Sequence, residues 1–326
     1  MSNLIFGIIG YGSIAKKHIS FIKRRFPNSQ INVLLHKKIV KSTFKIKFFF
    51  TNKSFFETEY NYIFICNPCT RHVEYIKKCI KHKVKNIFVE KPLSHNFYQS
   101  KKFLTEHHKE ISGILVGYVL LYNRLFLESL KILKDKKLGK IISATIVCNS
   151  NAKTWRKHIK FYKSVSANKK LGGGVLNELS HELSYAIKLF GPIQSVFSKI
   201  FNNENKKIDV ETEAKIICIT KDNINLGIFI DFLNKKEERY CEIIGTTGKL
   251  LLDFRNMNLI INNKEILNIS KKDKDQMYFD QLNFFTGSVK KKSQIISKIF
   301  FNAIDVTKFI DAIKISSSKN KIVSLT

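Results

Sequence analysis

Three short segments of this 326-residue chain hold the residues best placed to do chemistry. Gly10-Tyr11-Gly12-Ser13-Ile14-Ala15 has the pattern G-x-G-x-x-A. Glu90-Lys91-Pro92 sets a lysine directly after an apolar run. Leu171-Gly172-Gly173-Gly174 opens a stretch in which Asn177 and His181 lie four apart, a spacing that projects both from one helical face. The first segment can hold phosphate. Gly10 permits a tight turn, and Gly12 lets a pyrophosphate approach the N–H groups of Ser13 and Ile14 at a helix start. Ala15 lets that helix pack closely on its strand. The imidazole of His181 titrates near neutrality and can pass a proton to solvent.

Such residues need a frame. Apolar runs at 4–9, 31–35, 62–66, 86–89 and 114–118 alternate with helical stretches near 14–25, 70–83 and 97–110. In the first helix Ala15, His18, Ile19 and Ile22 follow the i, i+3, i+4, i+7 pattern and face the sheet. Strands apolar on both faces and separated by helices predict a doubly wound parallel sheet, a Rossmann domain over 1–120. The glycine turn then sits between a strand and an amphipathic helix, with a second strand about twenty residues on, the context of a dinucleotide site. Asn67-Pro68 through His72, and Glu90-Lys91, follow later strands, where ligands of open α/β sheets bind. An acid after the second strand would bond the ribose hydroxyls of NAD; the chain has His36-Lys37-Lys38 instead. Positive charge there suits the 2′-phosphate, so the expected cofactor is NADP or NAD, with NADP favoured.

Beyond 120 the pattern changes. A helix near 124–137 precedes β-like runs at 140–148, 193–201, 210–220, 224–233, 239–245 and 249–254. Consecutive strands without helices predict an α+β domain over 121–326 with a large, mostly antiparallel sheet and the glycine-run helix on one face. A helix at about 302–316 is expected to pack back on the first domain.

Composition narrows the class further. Hydrophobic residues make up 44%, with 27 Phe and 11 Tyr, enough for a globular protein of two domains. No apolar stretch approaches the roughly 18 residues of a membrane span, and the N-terminus lacks a basic segment and a cleavage site. A cytoplasmic protein without a membrane partner is expected. The net charge of +31 is nearly all lysine, spread along the whole chain without interleaved aromatics, and no nucleic-acid partner is expected. Cys66-Asn67-Pro68-Cys69 has redox spacing, but no second pair completes a zinc site, and the six scattered cysteines read as buried thiols. No metal is expected.

The ensemble resembles the Gfo/Idh/MocA family, the glucose–fructose oxidoreductase and inositol dehydrogenase relatives, over essentially the whole chain. The elements carrying the resemblance begin with the glycine turn with His18 after it, Asn67-Pro68…His72, Glu90-Lys91-Pro92 and Val116-Gly117-Tyr118. The glycine run with His181 and the closing segments Met277-Tyr278 through Phe284-Phe285 and 302–316 complete them. The resemblance implies hydride transfer between nicotinamide and a hydroxyl or carbonyl carbon of a sugar, nucleotide sugar or cyclitol. Lys91 would bond the reacting oxygen and His181 would exchange its proton, as carbinol oxidation requires a positioned base. It also implies a homodimer or homotetramer. Two positions depart from the pattern. Asn177 replaces the frequent aspartate that orients the histidine, with Glu178 beside it as a substitute, and Leu121 stands where an arginine is common, with Arg124 nearby. The stretch with Trp155, Arg156 and Lys163 resembles a branch serving surface-polysaccharide and nonulosonic-acid pathways; Arg156 and Lys163 would meet the negative groups of a nucleotide sugar or acidic sugar, and Trp155 would cover the sugar face or pack the loop. The alternative is a non-catalytic dinucleotide-binding or regulatory relative of the same fold.

Overall fold

The computed structural model describes residues 4–35, 44–156, 159–203, 208–270 and 274–325. The chain divides into two compact units, one of residues Met1–Gly117 and Tyr278–Ile304, the other of Tyr118–Met277 and Asp305–Thr326.

The first unit opens with β1 (Ile5–Ile9), α1 (Ser13–Arg25), β2 (Gln30–Leu34), β3 (Lys47–Phe49), α2 (Asn52–Phe56) and β4 (Tyr62–Ile65). It continues with α3 (His72–Lys81), β5 (Ile87–Val89), α4 (Phe97–Glu106) and β6 (Ile114–Val116). All neighbouring strands are parallel, in the order β3-β2-β1-β4-β5-β6. This order is that of the Rossmann fold, and its direction of winding reverses between β1 and β4, beside the glycine turn. Phe6, Ile8, Ile63, Phe64, Ile65 and Val89 are fully or almost fully buried, as strands covered on both faces must be. The apolar face of α1 is the expected one: Ala15, His18, Ile19 and Ile22 are its buried residues. β3 and α2 were not in the predicted set. The phenylalanine run 48–50 has no period, and α2 is one short turn capped by Thr51, whose hydroxyl accepts from the Ser54 N–H.

The second unit holds α5 (Arg124–Lys134), β7 (Ile141–Asn151), α6 (Val175–Glu178), α7 (Ser180–Phe190), β8 (Ile193–Phe201), β9 (Glu213–Thr220) and β10 (Asn225–Asp231). β11 (Leu233–Gly245), β12 (Lys249–Asp253), β13 (Asn258–Ile261) and β14 (Lys264–Asn268) follow. Nearly all of α8 (Gln276–Thr286) and the first part of α9 (Lys292–Lys319) belong to the first unit, while the rest of α9 and β15 (Val323–Ser324) belong to the second. Nine strands form one sheet, β14-β13-β12-β11-β7-β10-β9-β8-β15. Every neighbouring pair is antiparallel except β7 with β10. The β13–β14 hairpin lay outside the expected runs. Its turn is Asn262-Asn263 with φ of 48° and 67°, the left-handed pair that a tight hairpin needs and asparagine tolerates. The helix expected at 302–316 is α9, which runs from Lys292 to Lys319. Its end is tied to β8, where the Ser316 hydroxyl accepts from Ser198 N–H and Ser198 donates to the Ile313 carbonyl.

One local expectation is corrected. Asn177 and His181 do not share a continuous helix, because α6 ends at Glu178 and Leu179 interrupts it with φ −99° and ψ 27°. The chain passes through a tighter turn there, Glu182 N–H reaching the Leu179 carbonyl. Among the described residues no helix is long and apolar enough to cross a membrane.

Candidate active site

In the first unit the glycine turn has the geometry its sequence implies. Gly10 sits at φ +94°, and a β-carbon there would lie 3.0 Å from the Cys66 carbonyl oxygen, so the turn is pressed against the end of β4. Gly12 caps α1 without any side-chain hydrogen bond, and a β-carbon on it would meet nothing within 4 Å. No acidic residue lies in the first turn of α1, so its positive end is not offset by the chain itself. Ser13 is exposed and Ile14 partly so, while Ala15 is fully buried against the sheet. Across the turn, both polar side-chain atoms of Asn67 are buried and have no hydrogen-bond partner among the described residues. A buried amide in that condition is costly unless a ligand completes it. These features fit a dinucleotide, whose pyrophosphate would take the α1 amides and whose polar edge would take Asn67. Pro68 starts the turn that leads into α3. His36, Lys37 and Lys38, the proposed readers of the 2′-phosphate, lie outside the described residues.

His72 is 1% exposed, and both its ring nitrogens face backbone carbonyls, Nδ1 that of Pro92 at 2.8 Å and Nε2 that of Asn67 at 2.9 Å. It therefore holds the Asn67 and Lys91–Pro92 loops together. Only a doubly protonated ring can donate to both carbonyls, yet burial pushes the imidazolium below its usual range, against the two carbonyls and Glu90. Glu90 makes a parallel link: Oε1 lies 2.7 Å from Nε2 of buried His18, and Oε2 accepts from the Lys91 N–H. The His18 ring packs against Phe64 and Phe88, and Tyr278 of α8 closes over it. Lys91, joined to Pro92 by a cis peptide, is thus set by two buried histidines acting through its neighbours. Cys66 and Cys69 are buried and not joined in a disulfide, and burial pushes the Cys66 thiol well up, against a reactive thiolate at that position.

In the second unit the glycine run is dictated by what lies against it. Gly173 passes so near the Val165 and Ser166 carbonyls that a β-carbon would be 2.4 Å and 2.5 Å from them. Gly174 has φ +111°, and the Glu211 carboxylate fills the place its side chain would take, at 2.4 Å. The Glu211 carbonyl accepts from the Val175 N–H, and its carboxylate bonds the Leu176 backbone, so one residue covers the start of α6. Burial raises this carboxyl, with Lys314 acting the other way. Asn177, 4% exposed, donates to the Gly172 carbonyl at 3.0 Å. Its amide therefore holds the loop that leads into His181. Glu178 is partly buried. The His181 ring meets Tyr118 edge-on, centroids 5.8 Å apart. Leu121 is buried in a short turn, and Arg124 is exposed at the start of α5.

The three proposed substrate contacts are held unequally. Trp155 Nε1 donates to the Ser150 hydroxyl at 2.8 Å, and its ring packs on Phe232. Arg156 Nη1 donates to the Ser166 hydroxyl at 3.2 Å, on the segment that packs against Gly173. Lys163 is exposed. Two features escaped sequence reading: Glu211, and a buried ion pair of Glu182 with Arg239.

A parallel six-stranded sheet with a bare glycine-capped helix at its switch point, joined to a large mostly antiparallel sheet, defines a two-part dinucleotide-binding oxidoreductase fold. The chain belongs to the GFO/IDH/MocA oxidoreductase family: residues 4–118 match its NAD-binding Rossmann fold and residues 126–251 its C-terminal domain. A search of curated proteins by sequence found no match. Among solved structures it is similar to myo-inositol 2-dehydrogenase from Lactobacillus plantarum, with 15% identity, a TM-score of 0.80 and 100% of both chains covered. It is also similar to levoglucosan dehydrogenase in complex with NADH and levoglucosan, at 15% identity and TM-score 0.79, covering 99% of this chain and 100% of that one. WlbA dehydrogenase from Bordetella pertussis, in complex with NADH and UDP-GlcNAcA, gives 15%, 0.78 and 99% of both chains. At such identities the likeness is one of fold.

Proposed function

We propose that this protein is an NAD(P)-dependent dehydrogenase or reductase acting on a hydroxyl or carbonyl carbon of a sugar, with an acidic sugar or nucleotide sugar as the favoured substrate class. The first unit binds the dinucleotide; the second carries the substrate and the oligomer contact. The buried, unpartnered amide of Asn67 beside the open glycine turn is the observation that carries the reading. When bound, the nicotinamide supplies the hydride acceptor or donor. Lys91 bonds the reacting oxygen. His181 takes the hydroxyl proton as the carbon gives up its hydride, so that the carbonyl forms with charge balanced. In the reduction the same proton returns. His181 is only partly buried, and this gives it an exchange route to water. Arg156 is pre-positioned by Ser166 and has further N–H donors for a carboxylate or phosphate. Two relatives in fold were solved with a sugar or a UDP-sugar, in keeping with this class.

The basic stretch 36–38 favours NADP, and the likeness of the stretch holding Trp155, Arg156 and Lys163 to one branch of the family supports a role in surface-polysaccharide or nonulosonic-acid synthesis. Titration with NADH and NADPH tests the first point: NADPH is expected to bind more tightly, and tighter NADH binding overturns it. A screen of free and nucleotide sugars for change in NAD(P)H absorbance tests the rest. Lys91→Ala is expected to abolish turnover while leaving cofactor bound; full activity in that variant refutes the assignment.

A further inference from the structure

Among the described ion pairs, that of Glu182 with Arg239 has a fully buried carboxylate, at 0% side-chain exposure, and it lies one residue from His181. The contact is bidentate, Arg239 Nε to Oε1 at 2.7 Å and Nη2 to Oε2 at 3.2 Å. Arg239 stands on β11 in register with Cys148 of β7, and the Cys148 thiol also bonds the Glu182 carboxylate. Tyr185, one turn along α7, completes the cluster. Burying the carboxylate is expensive even against a half-buried arginine, and well-packed apolar residues would hold α7 to the sheet as firmly. What apolar packing cannot supply is a fixed fork that sets the height and rotation of the first turn of α7, together with a charge that neutralises the carboxylate following His181 in the chain.

We propose that Glu182 and Arg239 are positioning residues for His181, fixing its ring and holding its proton affinity at the value proton exchange requires. The proposal rests on the reading of His181 as the proton-exchanging group. Of the titratable and charged groups in the described contacts, Tyr118 ahead of α5 meets the His181 ring, while Tyr185 on α7 and Cys148 on β7 surround Glu182 and Arg239 of β11. Intact, the pair presents opposite charges that offset one another. Removing the guanidinium leaves Glu182 uncompensated one residue from His181 in the chain, and its charge favours the protonated imidazole. Removing the carboxylate charge leaves the guanidinium and disfavours it. A scaffold role alone would not give shifts of opposite sign.

The test is an NMR titration of the histidine side chains in the full chain, with His181→Gln identifying the resonance. Arg239→Met is expected to raise the His181 midpoint, and Glu182→Gln to lower it, each on the order of half a pH unit. Midpoints unchanged in both variants, or moved in one direction, overturn the proposal. Should Arg239→Met fail to fold, Glu182→Gln decides alone: glutamine keeps a hydrogen bond to the arginine, a downward shift supports the proposal, and no shift refutes it. The readout needs no substrate. A failure of the catalytic reading would show instead as full turnover by His181→Gln, whatever the titration gives.

Discussion

Asn67 shows how one side chain can distinguish binding from scaffolding. Its amide is buried, and no described residue satisfies it, so in the folded protein it costs stability rather than adding it. Its backbone carbonyl, by contrast, is used by His72. Asn67→Leu keeps the size and the carbonyl and removes only the amide. It is expected to leave the thermal midpoint unchanged or higher while weakening dinucleotide binding about tenfold, the loss of a hydrogen bond or two. Calorimetric titration beside a thermal melt checks both halves; a lower midpoint with unchanged affinity would make Asn67 structural. The arginines carry a similar lesson. The chain has seven of them among 57 basic residues. Arg239 and Arg71 each use the fork on a carboxylate and Arg156 reaches Ser166, which is work a lysine does poorly. In a lysine-rich sequence an arginine is therefore the more telling residue.

At the scale of elements, the glycine run and α6 form one device with Glu211. Gly174→Ala places a methyl group against the Glu211 carboxylate in a backbone region hostile to L-residues, at an expected cost of about 1–3 kcal/mol. Chemical denaturation measures it, and a cost near zero would mean the loop can move aside. Glu211 itself predicts a pH dependence. Because burial raises its carboxyl in the folded state, its contribution is fully present below the unfolded value and is lost as pH rises through the folded one. Wild type should therefore gain stability relative to Glu211→Gln as pH falls from 7.5 toward 4.5, the ordinary value of a glutamate carboxyl. A constant difference across that window rejects the assignment. The same elements mark what sequence can and cannot show. The strands of the first unit are legible because burial on both faces leaves continuous apolar runs, and α1 because its period is unbroken. The spacing of Asn177 and His181 misleads, since a four-residue interval implies a shared face only if the helix continues, and the interruption at Leu179 carries no glycine or proline. Glu211 is invisible for a different reason: its partner, the start of α6, lies 36 positions away in sequence, from Val175 to Glu211.

For the molecule as a whole, the nine-stranded sheet raises the question of its second face. Along β9, Ala214, Ile216, Cys218 and Thr220 are buried, while Ile217 and Ile219 are 61% and 38% exposed. The register extends that outer face across the sheet. Gly227 pairs with Ile217 and Phe229 with Lys215, and on β7 and β11 the same rows continue through Val147, Tyr240, Glu242 and Ile244. Phe229 and Ile244 are exposed as well. A contiguous apolar strip on a sheet face marks an interface more often than a solvated surface, and it is this face that we propose joins two copies of the chain. The high positive charge does not oppose this, because charges of both signs share the face and pair there, Lys215 with Glu213 and Lys249 with Glu242. Sedimentation velocity at micromolar concentration is expected to show a dimer, or a tetramer built from it. Ile217→Asp with Phe229→Asp should shift the protein to monomer, because each aspartate would put an unpaired charge into the buried contact, with little change in the melting of the isolated chain since both side chains are already exposed. A monomeric wild type, or an assembly indifferent to the double substitution, would leave the strip without this role and direct attention to a different partner for it.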